Sequence, residues 1–386
     1  MEAGHSIRRG HSLATDARQA VREFRAAVAR PDTALVLFFC SSEYDLDALA
    51  EEMRLAFPET QVVGCTTAGE IGPGGYRDHS LAGASFSAAG FSAVSGCIDN
   101  LQGFEIAEGD AFAQDLLQKL ESREAGAGAV NSFGLLLIDG LSAREEPVTR
   151  SLQSALGKVP MVGGSAGDGE RFGSTHVYFE GRFHAHAAVL TLVSTRFPFK
   201  LFKTQHFVAT GTRMVVTAAD ITTRIVREIN GLPAAEEYAR VIGIEARDLD
   251  PMRFAAWPVV VMIDGTNYVR SIQKANPDGS LTFFCAIEEG LVLRVAKGVD
   301  LLANLEEAFA AVRAEIGAPQ LVLGCDCILR KLEIQQSPDK DRIEDILLSN
   351  HAVGFNTYGE QYQGVHVNQT LTGIAIGSGA IKSDHA

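Results

Sequence analysis

The chain has 386 residues, 46% of them hydrophobic, and a mean hydropathy of +0.07, so it can bury one large core or two. A net charge of −14 with no Lys/Arg-rich tract leaves no basic face to track a phosphate backbone and argues against nucleic acid as a partner. The longest apolar runs, ALVLFFC and FGLLLI, are far shorter than the ~20 residues of a bilayer span, so no membrane partner is expected.

Residues 1–30 read as an N-terminal extension and helix, with roughly the first 12 disordered as chain ends often are. This opening stretch lacks the apolar centre of a secretory signal. The six cysteines are too sparse for a disulfide framework, so a cytoplasmic protein with free thiols is expected.

Ala34 to Ile71 (ALVLFFCSSEYDLDALAEEMRLAFPETQVVGCTTAGEI) and Phe133 to Glu170 (FGLLLIDGLSAREEPVTRSLQSALGKVPMVGGSAGDGE) repeat each other at an offset of 99 with no gap. In each, an apolar strand leads to an amphipathic helix, with Leu49, Met53 and Phe57 falling on Val148, Leu152 and Leu156. A second short strand then ends in a glycine turn. Strand, helix and strand in this order predict a right-handed parallel βαβ unit.

Antiparallel strands follow each turn: HSLAGASFS with FSAVSGCI, then THVYFEG with FHAHAAVLTLV, the last two joined by a hairpin at Glu180-Gly181. Two more strands are expected over Leu201–Thr217. Beyond them, Ile221–Gly231 carries a short strand ended by Asn230-Gly231, and Pro233 opens a helix. A β meander with its hairpin at Asp278-Gly279 leads to a helix with Leu302, Leu305, Phe309 and Val312 on one face. A third copy of the repeat closes the chain: strand Leu321–Leu329, helix Asp341–Asn350, and Val353 to Glu360, which repeats the V-G-x-x-x-x-G-E of Val63 to Glu70.

The predicted fold class is α/β (mixed α+β), with two domains, mixed β-sheets carrying packed helices, and internally duplicated βαβ-type units. The expected divisions are 1–30, 31–220, 221–380 and a tail at 381–386.

Gly163 to Gly167 spells G-x-S-x-G, the pattern of a hydrolase nucleophile elbow with Ser165 as nucleophile, Asp168 and a histidine as partners. No helix start follows, however, and Ser165 aligns with Thr66 and Asn356, so a turn is the favoured reading. Backbone N–H groups in GCTTAGE, GGSAGDG and GFNTYGE can line a pocket for a carboxylate or another small anion. Thr66, Ser165, Thr357, Tyr358 and Glu360 are the candidate polar contacts there.

VVGCTTAGEI, MVGGSAGDGE, VREINGLPAAEEY, YVRSIQKANPDGSLTFFCAIEEG, LGCDCILRKLE and GFNTYGEQYQGVHVNQTLTGIAIG, in this order, resemble the FIST family, a two-part sensory module with N- and C-terminal FIST domains. The likeness runs from about Ala34 to Gly377. It implies a signal-input module for a small ligand, not an enzyme. With no kinase or membrane segment in these residues, a stand-alone cytoplasmic sensor acting in trans is expected. KTQHFVATG, RFHAHAAV and CDCILRKLE are similar to the NosP-type branch. That likeness implies haem b as cofactor, nitric oxide as signal, a histidine kinase or cyclic-di-GMP signalling protein as partner, and a possible homodimer.

Haem needs an axial ligand, usually histidine, in an apolar pocket. His206, with Phe207 beside it, is the first candidate for the iron. His184 and His186 come next, two apart on one strand and so on one face. His176, His351, His366 and Cys327 follow. The alternatives are an amino acid or other small metabolite bound at the glycine turns, and a serine hydrolase using Ser165.

Overall fold

The computed structural model describes residues 6–263 and 265–379. It is a mixed α/β protein built from three copies of one unit, with a further β-rich body set into the third copy.

Unit one runs β1 (Ile7–Ser12), α1 (Ala17–Val28), β2 (Thr33–Ser41), α2 (Leu46–Ala56), β3 (Gln61–Thr67), a hairpin of β4 (Glu70–Gly72) and β5 (Gly75–Arg77), and β6 (Leu81–Ser87). Asp16 and Asp45 cap the two helices by accepting from the backbone N–H of Gln19 and Ala48. Unit two repeats the order as β7 (Phe91–Ile98), α3 (Ile106–Arg123), β8 (Ser132–Ile138), α4 (Glu145–Leu156), β9 (Met161–Ser165), the hairpin β10 (Val177–Phe179) and β11 (Arg182–His184), and β12 (Ala188–Thr195).

Unit three opens with β13 (Phe199–Thr204), and the chain then leaves it. The inserted body comprises β14 (Phe207–Asp220), β15 (Ile225–Ile229), β16 (Leu232–Pro233), α5 (Ala234–Ile242), α6 (Pro251–Ala256), β17 (Val259–Ile263), β18 (Thr266–Arg270), β19 (Ile272–Ala275), β20 (Leu281–Phe283) and β21 (Val292–Gly298). The unit resumes with α7 (Leu301–Ile316), β22 (Pro319–Cys327), α8 (Ile328–Gln336), α9 (Lys340–Ser349), β23 (Ala352–Thr357), the hairpin β24 (Glu360–Tyr362) and β25 (Val365–Val367), and β26 (Leu371–Gly377).

The three sheets have one topology. Their strand orders are β1-β6-β2-β3, β7-β12-β8-β9 and β13-β26-β22-β23, with only the last pair of each parallel. Each parallel edge is then covered by a hairpin from another unit. The β4–β5 hairpin of unit one pairs with β23, β10–β11 of unit two with β3, and β24–β25 of unit three with β9. The exchange is cyclic, so the arrangement is pseudo-threefold.

Alternation along the central strands explains why they read as unbroken apolar runs. Leu35, Leu37 and Phe39, Phe133, Leu135 and Leu137, and Leu321, Leu323 and Cys325 all face one shared core. Across it Phe39 stacks on Phe355 with ring centroids 4.6 Å apart. The intervening residues face outward onto each unit's own helices: Val36, Phe38 and Cys40 onto α1 and α2, for example, and Leu136 and Ile138 onto α3 and α4. In each copy the glycine of the shared V-G pair lies against the neighbouring strand. A Cβ at Gly64, Gly163 or Gly354 would sit 2.5, 2.1 or 1.8 Å from a backbone carbonyl oxygen.

These faces correct the offset of the repeat. At 99 throughout, inward Leu35 would match Gly134, but the structure matches it with Phe133, because unit two has one extra residue between β8 and α4. A one-residue slip in a strand turns every side chain to the other face, so burial settles the register. Within the stretch expected to be disordered, residues 7–12 differ from expectation. Ile7–Ser12 is an edge strand paired with β6, with Ile7, Gly10 and Ser12 buried. The expected division at residue 220 falls within the β14–β15 hairpin, and the tail at 381–386 lies outside the described residues.

The inserted body has its own core around Met214, Val226, Tyr238, Phe254, Phe283 and Leu293. It docks on unit two through Arg224, in the β14–β15 turn. The buried guanidinium holds Glu145 at 2.7 Å and Glu146 at 2.5 Å, at the start of α4, and donates to Phe284 O at 2.7 Å.

Candidate functional site

In a sheet of this kind the carboxyl ends of parallel strands are the ordinary place for a ligand. At the ends of β2 and β3 lies a cleft of about 260 Å³. Its walls are Ser41, Ser42 and Glu43 after β2, Thr67 to Glu70 after β3, Asp78 and His79, the loop Asp168–Arg171 after β9, and Ile328, Lys331, Leu332 and Gln335 of α8.

Charges of both signs meet here. Lys331, largely buried, donates from Nζ to Ala68 O at 2.8 Å and pairs with Asp78. Arg171 donates from Nη2 to Ser42 Oγ at 2.6 Å and from Nε to Asp168 O at 3.1 Å, with Nη1 3.5 Å from Glu43 Oε1. His79 Nδ1 is 2.6 Å from the other oxygen of Glu43. Gly69 has a φ of +133°, and a Cβ there would meet Lys331 Nζ at 2.5 Å, so only glycine lets the lysine reach this turn.

Beneath the cleft, Glu70 is buried and accepts from Thr67 Oγ and from the N–H and hydroxyl of Ser80, at 3.0 and 2.7 Å. Burial pushes its carboxyl up to about 7, against the pull of these hydrogen bonds and of Lys331. Unit three repeats the device. Glu360 accepts from Thr357 Oγ and from the N–H and hydroxyl of Thr370, at 3.2 and 2.8 Å, and burial pushes it up to about 8. In unit two the matching hairpin position is Val177.

The three glycine turns meet at the pseudo-threefold axis and hydrogen-bond to one another. Ala68 N–H donates to Asn356 O, Asn356 N–H to Gly69 O, Ser165 N–H to Gly359 O, Tyr358 N–H to Ser165 O, and Gly167 N–H to Thr66 O. The five polar residues expected to contact a ligand sit inside this junction. Thr66 Oγ accepts from His176 N–H at 3.0 Å, Ser165 Oγ accepts from Gln361 Nε2 at 2.9 Å, and Thr357 donates to Glu360. Tyr358 pairs with Asp168, which also accepts from Gly173 and Ser174 N–H. All five are buried, and none of them walls the cleft. Their neighbours Thr67, Gly69 and Glu70 do.

Ser165 ends β9 and the chain continues as a loop, so its hydroxyl faces the amide of Gln361 rather than an imidazole. The strand-to-helix elbow that would make it a nucleophile is not formed.

The candidate haem ligands are dispersed and mostly held. His206 is buried against Phe207, with Nε2 2.9 Å from Glu333 Oε1 and Nδ1 without a hydrogen-bond partner among the described residues. His184 Nδ1 is 2.8 Å from Asp99 Oδ1 and its Nε2 3.3 Å from Phe179 O. His186 is exposed and lies beyond β11 with a φ of +50°, so the two do not share a strand face as expected. His366 is buried between Gln361 and Phe284 O, and burial pushes it down to about 4. His176 is half-buried beside Phe183, and His351 contacts Arg9. Cys327 is buried at the end of β22, its thiol pushed well up by burial.

A larger open groove, about 990 Å³, runs between α2, α3 and the β10–β11 hairpin, and no histidine, cysteine or methionine is among its walls. The strand-end cleft has His79, but its volume is below the roughly 300–1,000 Å³ usual for pockets that enclose a drug-sized ligand. His206, His184 and His186 line neither. Neither cavity therefore joins room for a haem to one of the candidate axial ligands.

The fold and cleft define one arrangement: a pseudo-threefold α/β frame that ends in a small charged cavity. The FIST N domain matches residues 34–232 and the FIST C domain matches residues 234–363, together most of the chain. The protein belongs to the FIST family, whose domains serve as sensors in signal transduction. No curated protein matches it in sequence. Among the described residues no helix is long and apolar enough to cross a membrane.

Sequence reasoning pointed to the turns but missed Lys331, Arg171, Asp78 and Glu43. Lys331 belongs to a helix that follows a different strand, and nothing in its local sequence shows that it crosses to unit one. Glu70 and Glu360 were visible as the closing residue of a shared pattern.

Proposed function

We propose that this protein is a sensor for a small carboxylate or zwitterion, an amino acid being the simplest case, held in the cleft at the ends of β2 and β3. The observation that carries the reading is the convergence of Lys331 and Arg171 with Asp78, Glu43 and Glu70 around one cavity at the strand ends. A carboxylate would take over the hydrogen bonds of Lys331 and Arg171, and an ammonium group would take those of the acids.

Because Lys331 stands on α8, a ligand that competes for it acts on unit three as well as unit one. Helix α8 packs on α6 of the inserted body through Ile328, Leu329 and Ala255. A shift of α8 would alter the surface shown to a partner, which we take to be a histidine kinase or cyclic-di-GMP signalling protein. Couplings of about 1–3 kcal/mol are enough for such a response.

The test is a thermal-shift screen with amino acids and small dicarboxylates, followed by calorimetry. A ligand at 100 times its Kd adds about 2.7 kcal/mol of stability, and Lys331→Ala and Arg171→Ala should each abolish the effect. If no such compound stabilises the protein, or if both variants respond unchanged, the reading fails. Haem reconstitution gives the second arm. A Soret band that moves with nitric oxide and disappears in His206→Ala would replace this reading with haem-based nitric oxide sensing.

A further inference from the structure

Outside the cleft, two strand ends bring together three side chains that take no part in it. Cys97 is the next-to-last residue of β7, and Asp99 lies two residues on, so both side chains project to the same side. His184 closes β11 opposite them. Asp99 Oδ1 lies 2.8 Å from His184 Nδ1 and 3.8 Å from Cys97 Sγ, and the three atoms are all within 4.8 Å of one another.

These spacings suit a shared ion. Zinc bonds of about 2.3 Å to sulfur and about 2.0–2.2 Å to nitrogen and oxygen, at tetrahedral angles, separate S and O by roughly 3.6 Å and N and O by roughly 3.3 Å. The observed N···O and S···O distances lie within about half an ångström of that geometry. The far side of the imidazole is prepared as well: Nε2 lies 3.3 Å from Phe179 O, a carbonyl placed to accept the proton once Nδ1 turns its lone pair to a metal. Arg182, which is exposed and now 3.2 Å from that nitrogen, has to swing aside.

We propose that Cys97, Asp99 and His184 bind one divalent transition-metal ion of the zinc class. Sulfur, imidazole and a single carboxylate suit borderline-soft metals, whereas calcium requires six to eight oxygens. Three protein ligands leave a fourth position for water or an exogenous donor. The ion would pin the β10–β11 hairpin, which unit two lends to the sheet of unit one, to β7 of its own unit. This site is separate from the strand-end cleft, so neither proposal stands or falls with the other.

The full-length protein titrated with Co²⁺ should develop thiolate-to-metal charge-transfer absorption that saturates at one equivalent and is displaced by Zn²⁺. Cys97→Ser should remove the band. Asp99→Asn, at an exposed position, should weaken binding by roughly tenfold or more. The double change Cys325→Ser with Cys327→Ser should keep the band, which separates this site from the C-x-C pair. If Cys97→Ser does not fold, alkylation of the unaltered chain, mapped by mass spectrometry, decides the matter: Zn²⁺ should protect Cys97. A missing band, a band that survives Cys97→Ser, or no protection of Cys97 would overturn the site.

Discussion

Replacing Glu360 with glutamine removes a buried proton-binding group while keeping its shape. Burial pushes this carboxyl from its ordinary 4.5 up to about 8, and the hydrogen bonds from Thr357 and Thr370 only partly oppose that. Between those two pH values the folded chain holds a proton that the unfolded chain releases. Stability falls with rising pH wherever the folded state binds more protons. The group's contribution is therefore intact below about pH 4.5 and is lost as the pH rises through 8. At about 1.36 kcal/mol per tenfold change in proton affinity, the penalty by pH 9 is at most on the order of 5 kcal/mol.

Glutamine avoids this penalty at little cost. Its oxygen can accept from the N–H and hydroxyl of Thr370 while its amide donates to Thr357 Oγ. Urea unfolding should find Glu360→Gln within about 1 kcal/mol of the parent at pH 5 and clearly more stable at pH 9. Glu70→Gln should behave alike over a narrower window, because Glu70 is pushed only to about 7. A difference between parent and Glu360→Gln that stays constant from pH 5 to 9 would refute the reasoning.

Arg224→Met should cost about 3–5 kcal/mol, because it leaves Glu145 and Glu146 facing one another without their cation; a thermal melt checks this, and adding Glu145→Gln should recover part of the loss. Gly354→Ala puts a methyl group 1.8 Å from Gly324 O and should exceed about 4 kcal/mol of destabilisation. Gly211→Ala, with open space around it, should be nearly silent in the same denaturation assay. Ser165→Ala should leave any activity on ester substrates unchanged, since its hydroxyl is engaged with Gln361.

Much of the frame was legible because it is repeated. The V-G pair and the closing glutamate recur at Val63 to Glu70 and at Val353 to Glu360, and each marks a strand pressed against a neighbouring backbone. What stayed hidden depends on contacts between distant segments. The hairpins Glu70–Arg77, Val177–His184 and Glu360–Val367 look in sequence like extensions of their own units, yet each completes a sheet elsewhere. The edge strand Ile7–Ser12 contains Arg8, Arg9 and His11, too polar to stand out beside Leu35–Phe39. The surroundings of the candidate histidines stayed hidden for a related reason. An imidazole in an apolar stretch shows nothing in sequence of the carboxylate that will meet it, here Glu333 for His206 and Asp99 for His184.

The cyclic exchange of hairpins has a cost during synthesis. Strand β9 ends at Ser165, but the segment that covers its edge begins at Glu360, some 195 residues later. At roughly 5–20 residues per second a ribosome needs about 10–40 s to make that stretch. Throughout that interval the nascent chain carries a bare, apolar strand open to pairing with other chains. Shortening the interval by circular permutation, with new termini in the inserted body, should raise the soluble yield of this protein more than any improvement to its finished core.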